Sequence, residues 1–93
     1  MPTQQLLDYL WNRNQPQVME RLMLLELAAH SPRLHDQALS TAHQLAGSLG
    51  MYGFPRGTDL ARALELEFET SSPNPQRIST LAQDLRLTLF PNN

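Results

Sequence analysis

Cysteine is absent from the 93 residues, which excludes a disulfide framework and a thiolate metal site. Lysine is absent as well: the seven cations are all arginines, scattered from Arg13 to Arg86, and the net charge is −2. No basic patch forms, so nucleic acid is not an expected partner. No apolar run approaches the roughly 20 residues of a bilayer span; the most apolar segment, residues 22–29, is short and interrupted by Glu26. Nor does the N-terminus show a basic region leading into an apolar run, so no signal peptide is expected, and the expected location is the cytoplasm. A phosphate loop of the G-x-x-x-x-G-K type is missing too. β-branched and aromatic residues are few, whereas leucine and alanine dominate, a balance that favours helix over strand.

A chain of this length makes one domain, residues 1–93, able to bury somewhat over about 60% of its unfolded surface. Thr3 is expected to cap a short first helix reaching about residue 13, with Leu6, Leu7, Leu10 and Trp11 on one side, lying across the bundle as a lid. Asn14-Gln15-Pro16 should end it, and Pro16 can open a second helix to about residue 30. Ser31-Pro32 reads as a cap followed by a first-turn proline, starting a central helix to about Tyr52 that Gly53 stops. Pro55 restarts the chain with Leu60, Ala61, Leu64 and Phe68 inward and Arg62, Glu65 and Glu69 outward. After a loop over residues 70–75, Asn74-Pro75 repeats the cap-then-proline signal ahead of the Ile78, Leu81, Ala82, Leu85, Leu89 stripe. The expected fold is all-α: an antiparallel up-down four-helix bundle over about residues 16–90, with a short additional N-terminal helix.

Residues 42–54 of the central helix hold the candidate site. At about 100° per residue, Ala38, Ala42, Leu45, Leu49 and Tyr52 form an inward stripe, and His43 lies about 140° from it. Asp36, Gly47 and Gly50 share the histidine's face, with Leu39 and Ala46 on the flank towards the core. Two glycines cost an exposed helix about 2 kcal/mol relative to alanine. Spacing alone leaves two explanations open. Either a partner approaches His43 closely across the glycines, or the glycines let another helix of the same chain pack tightly and His43 is an ordinary solvated histidine. His30 and His35 read as helix-terminal residues, and eight residues, about 12 Å along a helix, separate His35 from His43, too far to share a metal ion.

His43-x-Leu45-x-Gly47-Ser48-x-x-x-x-Gly53, followed by Leu60-Ala61-x-x-Leu64-Glu65, resembles the histidine-containing phosphotransfer (HPt) domain of multistep two-component signalling. The resemblance implies that His43 takes a phosphoryl group on Nε2 from a receiver-domain phosphoaspartate and passes it to another receiver aspartate. Implied partners are response-regulator receiver domains and a hybrid sensor kinase, acting on a monomer without a cofactor or metal of its own, the magnesium coming from the receiver. Gln44, Ser48 and Arg56 are the polar groups nearest in sequence for the phosphoryl group, and Ala46, Gly47 and Gly50 complete its neighbourhood. Met19 and Met23, with Leu39 and Asp36, are the expected docking residues, because methionine adapts to several partner shapes. One position departs from the family: Ala46 stands where a lysine is usual. That departure motivates a rival, a module that docks receivers without transferring. A kinase dimerisation domain would carry an acidic residue where Gln44 stands, and a plain helical scaffold would leave the glycines without a purpose.

Overall fold

The computed structural model describes residues 3–92. Four helices, α1 (Thr3–Ala28), α2 (His35–Ser48), α3 (Pro55–Glu69) and α4 (Pro75–Leu89), form an all-α bundle, and no strand occurs among the described residues. Each helix packs on its neighbours in sequence, and α1 also meets α4, which closes the ring. Leu22, Leu25, Leu45, Leu49, Leu64, Ile78 and Leu85 fill the centre. A two-pronged ion pair clasps α1 to α4: Arg86 Nε and Nη2 donate to the Glu26 carboxylate at 2.7 and 2.9 Å. This hydrogen bonding raises the guanidinium pKa above its usual value.

The expected break before Pro16 does not occur. Pro16 lies inside a continuous 26-residue α1, so the N-terminal segment is the first half of that helix and not a separate lid. A proline inside a helix removes one N–H and crowds the carbonyl four residues back, at a cost of about 3 kcal/mol. Packing on both sides of it offsets the loss. Trp11 sits edge-on to Phe54 at 4.7 Å between ring centres and lies 5.4 Å from Phe90 and 6.1 Å from Tyr52. Val18, two residues beyond the proline, is buried, and Asn14 Nδ2 donates to the Leu10 carbonyl at 2.7 Å.

The central helix is also shorter than its sequence signals suggest. Pro32–Leu34 form a 3-10 turn, and the Ser31 side chain makes no capping bond. Ser31 has φ −132° and ψ 86°, and it is the backbone carbonyl that accepts, from Leu34 N–H at 2.9 Å. His35 anchors the start of α2 instead: its Nε2 donates to the Ala28 carbonyl at 3.0 Å and its ring lies 5.4 Å from that of Phe68. At the other end, Leu49–Tyr52 tighten into a 3-10 turn, and Gly53 takes the left-handed conformation at φ 89°. Phe54 N–H bonds back to the Leu49 carbonyl and Gly53 N–H to that of Gly50, the paired bonds of a Schellman stop. Asn74, by contrast, caps α4 as its sequence signal predicts, with Oδ1 accepting from Gln76 and Arg77 N–H at 2.9 and 3.1 Å.

Candidate functional site

Small residues are buried on both α2 and α3. Ala38, Ala42 and Ala46 recur every fourth position on α2, Gly57 and Ala61 lie on α3, and all five are buried. The packing of α2 on α3 brings a side chain on the rim of one helix within reach of the rim of the other. His43 Nδ1 and Glu65 Oε2 meet at 2.7 Å, with the histidine side chain 75% exposed and the glutamate 20%. A carboxylate only accepts hydrogen bonds, so Nδ1 donates. In the neutral ring this fixes the tautomer and leaves the Nε2 lone pair free.

The pairing runs in step along the interface. A Cβ added at Gly50 would lie 3.4 Å from Thr58 Oγ1. Seven residues forward from His43 on α2 thus correspond to seven residues back from Glu65 on α3, as antiparallel helices require. The histidine therefore leans towards α3. The groove between α1 and α2 is lined by Glu20, Arg21, Leu24, Gln37 and Thr41, and Gln37 and Thr41 lie about 120° to 160° round α2 from His43.

The other candidates divide by this geometry. Gly47, about 40° round and one turn on, is exposed, and a Cβ there would meet nothing within 4 Å. Gly50 is exposed but near Thr58, so it serves helix packing as well as openness. Asp36 is exposed on the histidine's face, and Leu39 is half-buried one turn before it. Gln44 is exposed about 100° away. Ser48 does not join the site: it lies about 140° round from His43, and its Oγ is buried with no hydrogen-bond partner among the described residues. Ala46 is 6% exposed and belongs to the core. Arg56 does not join either, because it lies on the flank of α3 about 180° from Glu65 and more than two turns along.

Met19 and Met23, the expected docking residues, lie on α1. Met19 is about 20° round α1 from Glu26, the residue that holds α4, and Met23, 49% exposed, faces solvent. Met23 lies about 60° round α1 from Glu20, which lines the groove towards α2. Glu65, conversely, was expected only to point outward, although it belongs to the Leu64-Glu65 pair in the motif that the sequence displays. Among the described residues no group of three or more His, Cys, Asp or Glu is arranged to hold a metal ion, and no helix is long and apolar enough to cross a membrane.

Fold and site together define a small helical module with one exposed histidine oriented by a carboxylate. The Hpt domain family model matches residues 5–89. Protein RcaC of Microchaete diplosiphon is 35% identical over 66 residues, an alignment covering 63% of this chain and 10% of RcaC. The chain therefore spans about a tenth of that relative's length. No solved structure matches it. With a match across nearly its whole length, the chain belongs to the Hpt domain family of phosphorelay proteins.

Proposed function

We propose that the chain is a phosphorelay carrier whose His43 accepts a phosphoryl group from a receiver-domain phosphoaspartate and passes it to another receiver aspartate. The observation that carries this reading is the 2.7 Å bond from Nδ1 to Glu65 on an otherwise exposed ring. The Nε2 lone pair attacks phosphorus, an N–P bond forms, and the P–O bond to the receiver carboxylate breaks, the electron pair leaving with that carboxylate. The product ring carries phosphorus on Nε2 and a proton on Nδ1, hence a positive charge, which the Glu65 carboxylate meets directly. Reversal onto a second receiver aspartate expels a neutral imidazole.

Transfer of this kind depends on positioning and charge neutralisation, and the receiver supplies the magnesium that the reaction uses. Incubation with phosphorylated receivers should yield a label that is acid-labile and alkali-stable, the behaviour of phosphohistidine, and His43→Gln should abolish it. An alkali-labile label, or one that survives in His43→Gln, would overturn the assignment.

A further inference from the structure

Resting on His43 as the phosphoryl carrier, the geometry points to Arg62 as the cation that receives the phosphoryl charge, in place of the lysine absent at position 46. The α2–α3 register carries the assignment. His43 stands opposite Glu65 and Gly50 opposite Thr58, so three residues forward from His43 is Ala46 and three back from Glu65 is Arg62. The arginine therefore arises at the level of Ala46, across the interface. It lies about 60° round α3 from Glu65, towards solvent, and is exposed. A lysine on α2 and an arginine on α3 at this level approach the same space beside His43 from two sides. The guanidinium's fork of donors suits a phosphoryl group.

Charge and partnership favour it further. Among the described residues no carboxylate lies within 4.0 Å of the Arg62 guanidinium. Glu65, three residues on and a natural helix partner, is turned to His43 instead. The other arginines are elsewhere: Arg77 is held by Glu67 and Arg86 by Glu26, Arg21 lines the α1–α2 groove, Arg56 lies on the far flank of α3, and Arg13 and Arg33 belong to α1 and to the turn before α2. In the opposite direction along the α3 axis, one turn beyond Glu65 and about 20° round from Arg62, stands Glu69. A phosphoryl group on Nε2 thus has a cation on one side and an anion on the other, and is drawn towards Arg62.

The test uses potassium phosphoramidate, which phosphorylates histidine without a receiver, beside a phosphorylated receiver. Phospho-His43 is followed by 31P NMR over a pH titration in the wild type, Arg62→Gln, Arg62→Lys and the control Arg56→Gln. Arg62→Gln should raise the pKa of the phosphoryl group by about 0.3 to 0.7 and move the receiver-to-His43 equilibrium away from phosphohistidine by about two- to fivefold. The effect should be larger at low salt. Arg62→Lys should recover part of it, and Arg56→Gln should match the wild type. An unchanged 31P titration in Arg62→Gln, with His43 fully labelled, overturns the role of Arg62 and leaves the carrier function standing. A wild type that takes label from neither phosphoramidate nor receiver overturns the carrier function itself. Circular dichroism confirms folding, which an exposed substitution should leave intact.

Discussion

At the scale of single residues, the bond between His43 and Glu65 does two things. It fixes which ring nitrogen is free in the neutral ring, and it places a negative charge where a ring phosphorylated as proposed would become positive. Glu65→Ala should therefore slow phosphoryl acceptance by about tenfold, the worth of one charge-assisted hydrogen bond in a half-exposed setting. It should also release the fixed tautomer, which 15N shifts of the imidazole report directly. Glu65→Gln can still accept from Nδ1 through its amide oxygen, so it should keep the tautomer and lose only the charge effect. Equal rates and equal tautomer populations in wild type and Glu65→Ala would show the contact to be incidental. Because the histidine side chain is three-quarters exposed, His43→Gln should alter unfolding free energy by less than about 1 kcal/mol in urea melts. A larger loss would mean that the ring supports the fold.

At the scale of elements, α1 is the instructive case. Proline inside a helix opposes continuity locally, and packing on both sides of it, with Trp11 on Tyr52, Phe54 and Phe90, residues far away in sequence, and Val18 in the core, reverses that preference. Pro16→Ala should stabilise the protein by about 1 to 3 kcal/mol while leaving Trp11 fluorescence unchanged. A blue or red shift on substitution would indicate that α1 bends at residue 16 in solution. The same logic explains what the sequence made legible. Signals that act locally, the Asn74-Pro75 cap and the Gly53 stop, appear in the structure at their expected positions. So does the outward direction of His43, which follows from helical phase alone. What could not be read was which helix stood beside the histidine. That depends on the bundle's register, and it decides that Glu65 belongs to the site while Arg56 does not. Ala46 shows the same limit: read alone it is a missing cation, but in the folded bundle it is a buried methyl group of the core.

For the whole molecule, the ring order of the helices decides which surface a receiver can cover. α2 is flanked by α1 on one side and α3 on the other, and His43 leans towards α3. A body seated on Nε2 is therefore expected to rest on the outer faces of α2 and α3. Met51, in the 3-10 turn that follows α2, and Leu66, on α3, are 65% and 66% exposed, and Asp36, Leu39 and Gly47 lie on the histidine's side of α2. Met23 and Leu27 point outward from α1 and should remain free. Amide-shift mapping with a receiver should perturb Leu39, Gly47, Met51 and Leu66 and spare Met23 and Leu27; the reverse pattern would place docking on α1. Gly47→Leu tests the same surface by bulk. A Cβ at this position meets nothing within 4 Å, so the fold should tolerate the side chain and gain up to about 1 kcal/mol of helix propensity. The added leucine stands one turn from His43, where a receiver loop has to pass. Transfer from a phosphorylated receiver should fall by more than about tenfold, the cost of a steric clash worth at least 1.4 kcal/mol. Labelling by phosphoramidate, a molecule small enough to reach Nε2 past one side chain, should change little. If both fall together, the leucine has disturbed the histidine itself, and if neither falls, the glycine face is not where the receiver sits.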